Sequence, residues 1–264
     1  IRVLHALSFV DDATRMLRAV RFAQRFNFSI EARTLSLLQN NLPLLNEISG
    51  ARLLHEFNLI LQEPETISML QSLDDLGILK HIHPVLPWDV SIGQRMAHAF
   101  SQIDTQFNGG HKSTELSERQ TIAYCLWLEG LNAKELTELN ERIVFPARLM
   151  RLIEQTRQIR QVLPELLDAK PSQIVDVLQH MQSEALHVVR LSSQDEREMS
   201  LLNNYCNHYQ HVNHHTTGAD LRALGLEPSP RYEEILQRLK KAWLDGEVHS
   251  LEEEKILLKR LVEE

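Results

Sequence analysis

The arginines and the apolar residues between Phe9 and Phe26 recur at steps of three and four, and this spacing constrains the stretch to an α-helix. The residues that carry the pattern are Arg15, Arg18, Arg21 and Arg25, with Met16, Leu17, Val20, Ala23 and Phe26 forming the apolar face. A helix with such a face has to bury it against other helices. Asp12 is a good N-cap for this helix, because its side-chain oxygen can accept an N–H of the first turn.

Composition indicates that helices continue through the chain. The 264 residues are 43% hydrophobic and 24% charged, which is ordinary for a globular protein. Nine glycines and nine prolines are few for this length, and strong turn dipeptides are scarce, so helices should dominate. The length suffices for two or three packed modules. We therefore predict an all-α fold built from many helices.

The charge of the chain limits how it can bind nucleic acid. The net charge is −8 at pH 7, which argues against a protein that coats nucleic acid without specificity. RNA binding would need a local basic surface. Such a surface is predicted near the start, where five arginines up to Arg33 outnumber Asp11, Asp12 and Glu31.

Targeting signals and metal-binding patterns are absent from the sequence. No apolar run approaches the ~18 residues of a membrane span, and the start does not read as a signal or transit peptide. Cys125 and Cys206 share no metal-type spacing, which predicts reduced thiols and a cytoplasmic location without membrane contact. The histidines at 81–83 and 208–215 do not form a metal-ligand pattern with Cys or carboxylate residues, so no metal site is predicted there.

The acidic pair Asp11–Asp12, about one turn before Arg15, admits two interpretations. The first is a capped helix with ion pairs worth about 0.2–0.5 kcal/mol each. In the second, a carboxylate that only accepts lies beside a guanidinium that only donates. That combination matches a base edge with an exocyclic amine next to an unprotonated ring nitrogen. Adenine and cytosine carry this edge, so an Asp/Arg pair could select ATP and CTP over GTP and UTP.

The same stretch resembles motif D of the class II tRNA nucleotidyltransferase and bacterial poly(A) polymerase superfamily, written E/D-D-x-x-R and followed by R-x-x-R-F. Here the motif reads Asp11-Asp12-Ala13-Thr14-Arg15, then Arg18-Ala19-Val20-Arg21-Phe22. Gly50 to Glu56 is similar to the G/E-R-x-x-x-E of motif E. Thr217 to Pro230 is similar to the family's t-G-x-D-L-x-x-L-G-x-x-P-G-P element, with Ser229 in place of the usual Gly. The arrangement is most like the longer A-adding members.

The resemblance implies three helical modules: a neck at 1–90, a body at 91–216 and an RNA-binding tail at 217–264. The lead-in Ile1 to His5 resembles the strand that enters the family's neck, so at most one short strand is expected there. The Gly-rich stretch Asn108-Gly109-Gly110-His111, within 104–118, is the best boundary between modules.

The resemblance also assigns residues to sites. The nucleotide-binding residues are Asp11, Asp12, Arg15 and Arg18. The residues expected to hold them in place from behind are Arg21, Arg52 and Glu56. In the tail, a helix N-terminus with Arg222 and Arg231 is expected to bind RNA phosphate, although simple capping and packing also explain these residues.

The activity implied for the intact protein is the addition of AMP, or of CCA, to the 3′ end of tRNA, from ATP or CTP. Such transfer needs two metal ions held by acidic residues, which in the family are Mg²⁺ ions on a D-x-D of an N-terminal head. No D-x-D, phosphate loop or nucleophile elbow occurs in this sequence. We therefore predict no catalytic residue, no metal ligand and no cofactor in this chain, and no transfer by it alone.

The extent of the protein, its particular activity and its class stay open at the level of sequence. The chain starts at Ile1, inside a motif and without Met, which suggests a fragment or a processed product. The same neck motif serves CCA-adding, A-adding and poly(A) activities. Two further classes of protein, a helical RNA-binding adaptor without catalysis and a plain helical scaffold, are also compatible with the pattern.

Overall fold

The computed structural model describes residues 1–103 and 116–263, and the regular elements in these ranges are helices. No strand occurs in the described ranges, and the all-α prediction is confirmed. The strand allowed for at Ile1 to His5 does not form. The N–H of Glu31 donates to the carbonyl oxygen of Ile1 (3.0 Å), and that of Val3 donates to Thr34 Oγ1 (3.1 Å). These isolated bonds do not continue into the ladder that defines a strand.

The chain divides into two compact units, of which the first comprises Ile1–Gln158 and His187–Ser192. Its helices are α1 (Ser8–Asp11), α2 (Arg15–Arg25), α3 (Ala32–Asn40), a 3-10 helix (Leu42–Glu47), α4 (Gly50–Leu61), α5 (Thr66–Asp75), α6 (Ile78–Ile82), α7 (Val90–Gln102), α8 (Glu118–Leu128) and α9 (Ala133–Ile143). Two helices, α10 (Ala147–Leu166) and α12 (Ser183–Ser192), contribute residues to both units.

The second unit comprises Ile159–Leu186 and Ser193–Glu264. Its own helices are α11 (Pro171–Leu178), α13 (Glu196–Asn207), a 3-10 helix (Tyr209–His211), α14 (Gly218–Ala223), α15 (Pro230–Leu244) and α16 (Leu251–Glu263). The neck, body and tail divisions stay predictions. The Gly-rich boundary stretch at 108–111 lies outside the described residues.

The core of the first unit forms around α4 and α8. Helix α2 packs on α4 and α5, and α4 packs on α8 and α9. All side chains from Ile122 to Leu128 in α8 are buried, including Cys125. The edge of one ring in the Phe57–Trp127 pair meets the other at a centroid distance of 5.1 Å. A helix that is buried on every side has to lie inside the unit.

The predicted N-cap of α2 is wrong in its position. Asp12 lies in an extended link between the one-turn helix α1 and the first residue of α2, Arg15. Its carboxylate still accepts the N–H of Thr14 (3.0 Å), so it stabilises the turn that precedes the helix.

The C-terminal end of α2 explains a second difference from the predicted pattern. Asn27 adopts a φ of 52°, and the N–H of Phe28 donates back to the carbonyl oxygen of Ala23 (2.8 Å), as in a Schellman ending. The helix therefore stops at Arg25. Phe26, predicted on the buried face, is 52% exposed.

The second unit contains a small core of its own. Leu221, Ile235, Leu239 and Leu258 are buried together, joining α14, α15 and α16. Beside them, Glu254 is 2% exposed. Its carboxylate accepts from the N–H groups of His215 and Thr216, the Thr216 hydroxyl and the Trp243 indole N–H. This carboxylate is therefore satisfied within the protein.

Candidate nucleotide-binding site

A pocket of about 330 Å³ lies between the start of α2 and one side of α4. Most of the residues that line it are polar and they carry both signs of charge: Asp12, Thr14, Arg18, Ala51, Arg52, His55 and Glu56. Two of the four predicted nucleotide-binding residues, Asp12 and Arg18, belong to this wall. Arg52 and Glu56, predicted to act from behind, line it as well.

Asp12 is held in one orientation by several donors. Its Oδ1 accepts from the Thr14 N–H (3.0 Å), the Thr14 hydroxyl (2.7 Å) and Arg52 Nη2 (2.6 Å). Partial burial raises the pKa of Asp12, but the bonds from Thr14 and the charge of Arg52 outweigh it and hold that pKa below its usual value. Asp12 is therefore an ionised acceptor at neutral pH.

Arg52 reaches the carboxylate of Asp12 from α4, and the supporting role predicted for Arg52 stays a prediction. Its side chain is 55% exposed, so the ion pair contributes little to stability. What the contact supplies is geometry, because it fixes the distance between α4 and the link before α2.

Glu56 pairs with Arg21 of α2 and not with Arg52, which precedes it by four residues on the same helix. Its Oε2 lies 4.0 Å from Arg21 Nη2, and both side chains are 9% exposed. Burial lowers the pKa of Arg21, against the opposing effect of Glu56. Arg21 Nε and Glu56 Oε2 are buried without a hydrogen-bond partner. The pair is thus close but incompletely satisfied, and the unbonded oxygen of Glu56 is buried next to Arg21.

Asp11 and Arg15 are not among the residues that line the pocket. Arg15 Nη1 donates to the carbonyl oxygen of Ser8 (3.0 Å) and to its hydroxyl (3.1 Å), and lies 3.9 Å from Asp11 Oδ2. Asp11 also lies 3.6 Å from His5 Nε2 and is half exposed. The adjacent carboxylates therefore have different surroundings: Asp11 belongs to the end of α1 and Asp12 to the pocket.

Sequence reasoning missed Thr14, Ala51 and His55 as pocket residues. A signal for His55 was present, because it follows Arg52 by three residues and therefore shares its side of α4. Thr14 could have been found from Asp12, since an Asp commonly bonds the backbone two residues on.

The predicted RNA-binding arginines of the tail differ in their surroundings. Arg222 is exposed in the last turn of α14. Arg231 Nη2 donates to the carbonyl oxygens of Leu261 (3.2 Å) and Val262 (3.3 Å) at the end of α16. The side chain of Arg231 thus closes a helix C-terminus, where carbonyls lack intrahelical partners.

The described residues contain neither a cluster of metal-ligating side chains nor a membrane-spanning helix. Within residues 1–103 and 116–263, no three His, Cys, Asp or Glu side chains come together so that they could hold a metal ion. In the same ranges, no helix combines the length and the apolar character needed to cross a bilayer.

Comparison with known proteins connects this fold to a family. A family model described as "Probable RNA and SrmB- binding site of polymerase A" matches residues 27–89. An A-adding tRNA nucleotidyltransferase of Geobacter sulfurreducens is 30% identical over 272 residues, covering 100% of this chain and 31% of the relative.

Solved structures extend the likeness to the fold. The Thermotoga maritima CCA-adding enzyme complexed with tRNA-CCA matches with a TM-score of 0.72 at 26% identity, covering 100% of this chain and 63% of that one. A complex of CCA-adding enzyme with ATP matches with a TM-score of 0.73 at 26% identity and the same coverage. This chain spans less than two thirds of the length of each of these proteins.

The all-α fold, with a pocket between α2 and α4, is similar to a part of these solved tRNA-processing enzymes. The chain belongs to the class II tRNA nucleotidyltransferase and poly(A) polymerase family and corresponds to a portion of its members, as the motifs at Asp11–Phe22 and Gly50–Glu56 predicted.

Proposed function

We propose that the intact protein adds nucleotides to the 3′ end of tRNA, with AMP from ATP as the favoured addition and CTP as the other substrate. The pocket between α2 and α4 receives the base of the incoming nucleotide. The observation that carries this proposal is the fixed, ionised carboxylate of Asp12 on a pocket wall that also holds Arg18.

Asp12 is the acceptor in this proposal. Because Oδ1 carries the bonds from Thr14 and Arg52, Oδ2 is the atom that we assign to the exocyclic amine of adenine or cytosine. Guanine and uracil place a carbonyl oxygen there, so their base edge would meet a carboxylate with no proton to share.

Two arginines are candidates for the donor to the ring nitrogen. Arg18 already lines the pocket, whereas Arg15, the residue predicted from the motif, has to give up its bonds to Ser8. Single replacements of Arg15 and Arg18 assign the role, because the donor is the one whose loss lowers discrimination between ATP and GTP.

The metal chemistry belongs to another part of the intact protein in this proposal. Transfer needs two metal ions, and the described residues of this chain offer no cluster of three metal-ligating side chains. The residues present do not fit such a site. We therefore assign Mg²⁺ to a catalytic head on the intact protein, and this chain alone is expected to transfer no nucleotide.

The helical body and tail are proposed to bind tRNA in the cytoplasm. Arg222 is the better candidate for a phosphate contact, because its guanidinium is exposed. The relatives named for tRNA nucleotidyl transfer support this assignment.

The test is incorporation of labelled AMP into a tRNA that lacks its terminal A. The intact protein with Mg²⁺ is expected to incorporate AMP and to prefer ATP over GTP, while the 264-residue chain alone is not. Incorporation by this chain alone would contradict the assignment of the chemistry to a separate head.

A second candidate is an RNA-binding module without catalysis, favoured by the family description that matches residues 27–89. It predicts that tRNA binds, that ATP does not bind in the pocket and that the intact protein incorporates no label. Reading the gene upstream of Ile1 separates the two, because only the first proposal requires a D-x-D there.

A further inference from the structure

The end of α9 is fastened to the segment that leads into α4. Arg142 donates from Nη1 to the carbonyl oxygen of Ile48 (2.7 Å), and from Nη2 to those of Leu45 (2.9 Å) and Asn46 (3.4 Å). These carbonyls lie at the end of a 3-10 helix, where carbonyls commonly lack partners within the helix; that of Leu45 also accepts the N–H of Ile48 (3.3 Å). One guanidinium, 94 residues away in sequence from Ile48, therefore fixes the place from which α4 begins.

The two helices also meet through their main chains. A Cβ at Gly50, the first residue of α4, would lie 2.6 Å from the carbonyl oxygen of Arg142 and 2.9 Å from that of Ile143. Because these neighbours are backbone atoms, no side chain fits at position 50 unless one helix moves. Glycine at this position thus allows the contact that Arg142 holds closed.

A strained residue ends α9 beside this contact. Val144 has a φ of 61° and a ψ of 64°, a left-handed conformation that is unfavourable for a β-branched residue. Asn140 supports it, because its carbonyl oxygen accepts the Val144 N–H (2.9 Å) and its Oδ1 accepts the Phe145 N–H (2.9 Å). Strain of this kind persists where the surrounding structure holds it, and it is concentrated at functional sites.

The fastened end of α4 carries pocket residues. Arg52 lies in the first turn of α4 and contacts Asp12 at 2.6 Å, while Glu56 lies one turn further and faces Arg21. A shift of this turn by about 1 Å would break a hydrogen bond of that length. We propose that Arg142 is a positioning residue for the nucleotide pocket, acting through the first turn of α4 and Arg52 on Asp12. This inference rests on the proposed function, since it assumes that the pocket receives the base.

The experiment measures the ratio of kcat/KM for ATP to that for GTP in the intact protein. We expect Arg142→Ala to lower this ratio about tenfold, because a 1 Å misplacement of positioning groups can cost up to about a hundredfold. A purely structural role would reduce the amount of folded enzyme and lower both values equally, which leaves the ratio unchanged. Arg142→Lys should recover part of the ratio, since it keeps the charge but loses the two-nitrogen fork.

A pair of glycine replacements gives an independent arm. Gly50→Ala should lower the ratio in the same direction, whereas Gly130→Ala should not, because a Cβ at Gly130 meets nothing within 4 Å. These variants decide the question if Arg142→Ala does not fold. The positioning role is overturned if the ratio is unchanged both in a folded Arg142 variant (Arg142→Ala or, failing that, Arg142→Lys) and in Gly50→Ala. The proposed function is left intact by that result. Wild-type protein without any preference for ATP over GTP overturns the proposed function, and this inference with it.

Discussion

Two buried carboxylates, one in each unit, are treated very differently by their surroundings. Glu254 in the second unit accepts hydrogen bonds from His215 and Thr216, in the segment before α14, and from Trp243. Glu56 in the first unit is 7% exposed, lies 4.0 Å from Arg21 and leaves Oε2 without a hydrogen-bond partner. A carboxylate that only holds a fold together is expected to be fully bonded.

The difference shows how stability and function are divided. Glu254 spends its acceptor capacity on the protein, so nothing remains for a ligand. Glu56 lines the candidate pocket and keeps a buried Oε2 without a hydrogen-bond partner, and local departures of this kind are expected at functional sites. Glu254 is therefore buried with its carboxylate fully bonded, whereas Glu56, which lines the candidate pocket, is buried with one oxygen unbonded.

The largest expected effect is on stability at Glu254. Glu254→Ala leaves four buried or half-buried donors without an acceptor, so the free energy of unfolding should fall by about 3 kcal/mol or more. Urea denaturation of the 264-residue chain, followed by circular dichroism, measures this. Glu252→Ala on the same helix turn is the control, because Glu252 is exposed; an equal loss in both variants would contradict the structural role.

The pH dependence of stability tests the same carboxylate. Burial raises the pKa of Glu254, but the bonds from Thr216, His215 and Trp243 outweigh it and lower that pKa overall. A lowered folded-state pKa gives stability that is present above the unfolded value and is lost as the pH falls, here below about pH 4. The stability difference between wild type and Glu254→Gln should therefore shrink on acidification and not grow.

A smaller effect is expected at Asp12, and on selection more than on stability. Asp12→Ala removes the acceptor for the base amine, which should cost about 1–3 kcal/mol of discrimination, or roughly tenfold to a hundredfold between ATP and GTP. Asp11→Ala is the matched control, because it changes the adjacent carboxylate outside the pocket. Measurements of kcat/KM on the intact protein should separate the two; equal losses would remove the pocket assignment.

Replacing either of the two tail arginines should change the free energy of unfolding by an amount near the limit of measurement. Arg231→Ala removes two exposed bonds to the end of α16 and should cost about 0.5–1 kcal/mol, whereas Arg222→Ala should change stability by less than about 0.5 kcal/mol. Both are expected to weaken tRNA binding and to lower its salt dependence by about one phosphate contact each. Titrations at several salt concentrations check this, and binding that is flat with salt would contradict it.

The smallest expected change in stability is at the buried pair of Arg21 and Glu56. Replacing a buried ion pair by apolar residues of similar volume is often neutral or stabilising, so Arg21→Met combined with Glu56→Leu should leave the free energy of unfolding about unchanged or raised. Nucleotide discrimination should fall in the same variant. A stable double variant that keeps wild-type discrimination would show that Glu56 is structural after all.

Local sequence spacing was sufficient to predict α2 but not its C-terminal end. The steps of three and four predicted α2, and the Ser117/Gln120 capping box marks the start of α8. The stop at Arg25 was missed because it depends on Asn27 adopting a positive φ. Helix α7 was also missed, although Asp89 announces it by accepting from the N–H groups of Ser91 and Ile92.

The site was predictable only where the motif resembled a known family. Asp12, Arg18, Arg52 and Glu56 were named in this way, but which atoms pair could not be predicted, because a contact across 40 residues leaves no local spacing in the sequence. The acidic run Glu252–Glu254 illustrates the same limit. It reads as a solvated helix start, yet Glu254 alone is buried, since only its side of α16 faces Trp243.

The burial of α8 makes one of its own side chains a reporter of how often the first unit opens. Cys125 in this helix is fully buried, whereas Cys206 in α13 is half-buried. A thiol reagent should therefore modify Cys206 under native conditions and reach Cys125 only when the first unit opens. Because modification of a buried thiol is limited by that opening, the ratio of the two labelling rates reports how often the unit opens, with no probe added to the chain.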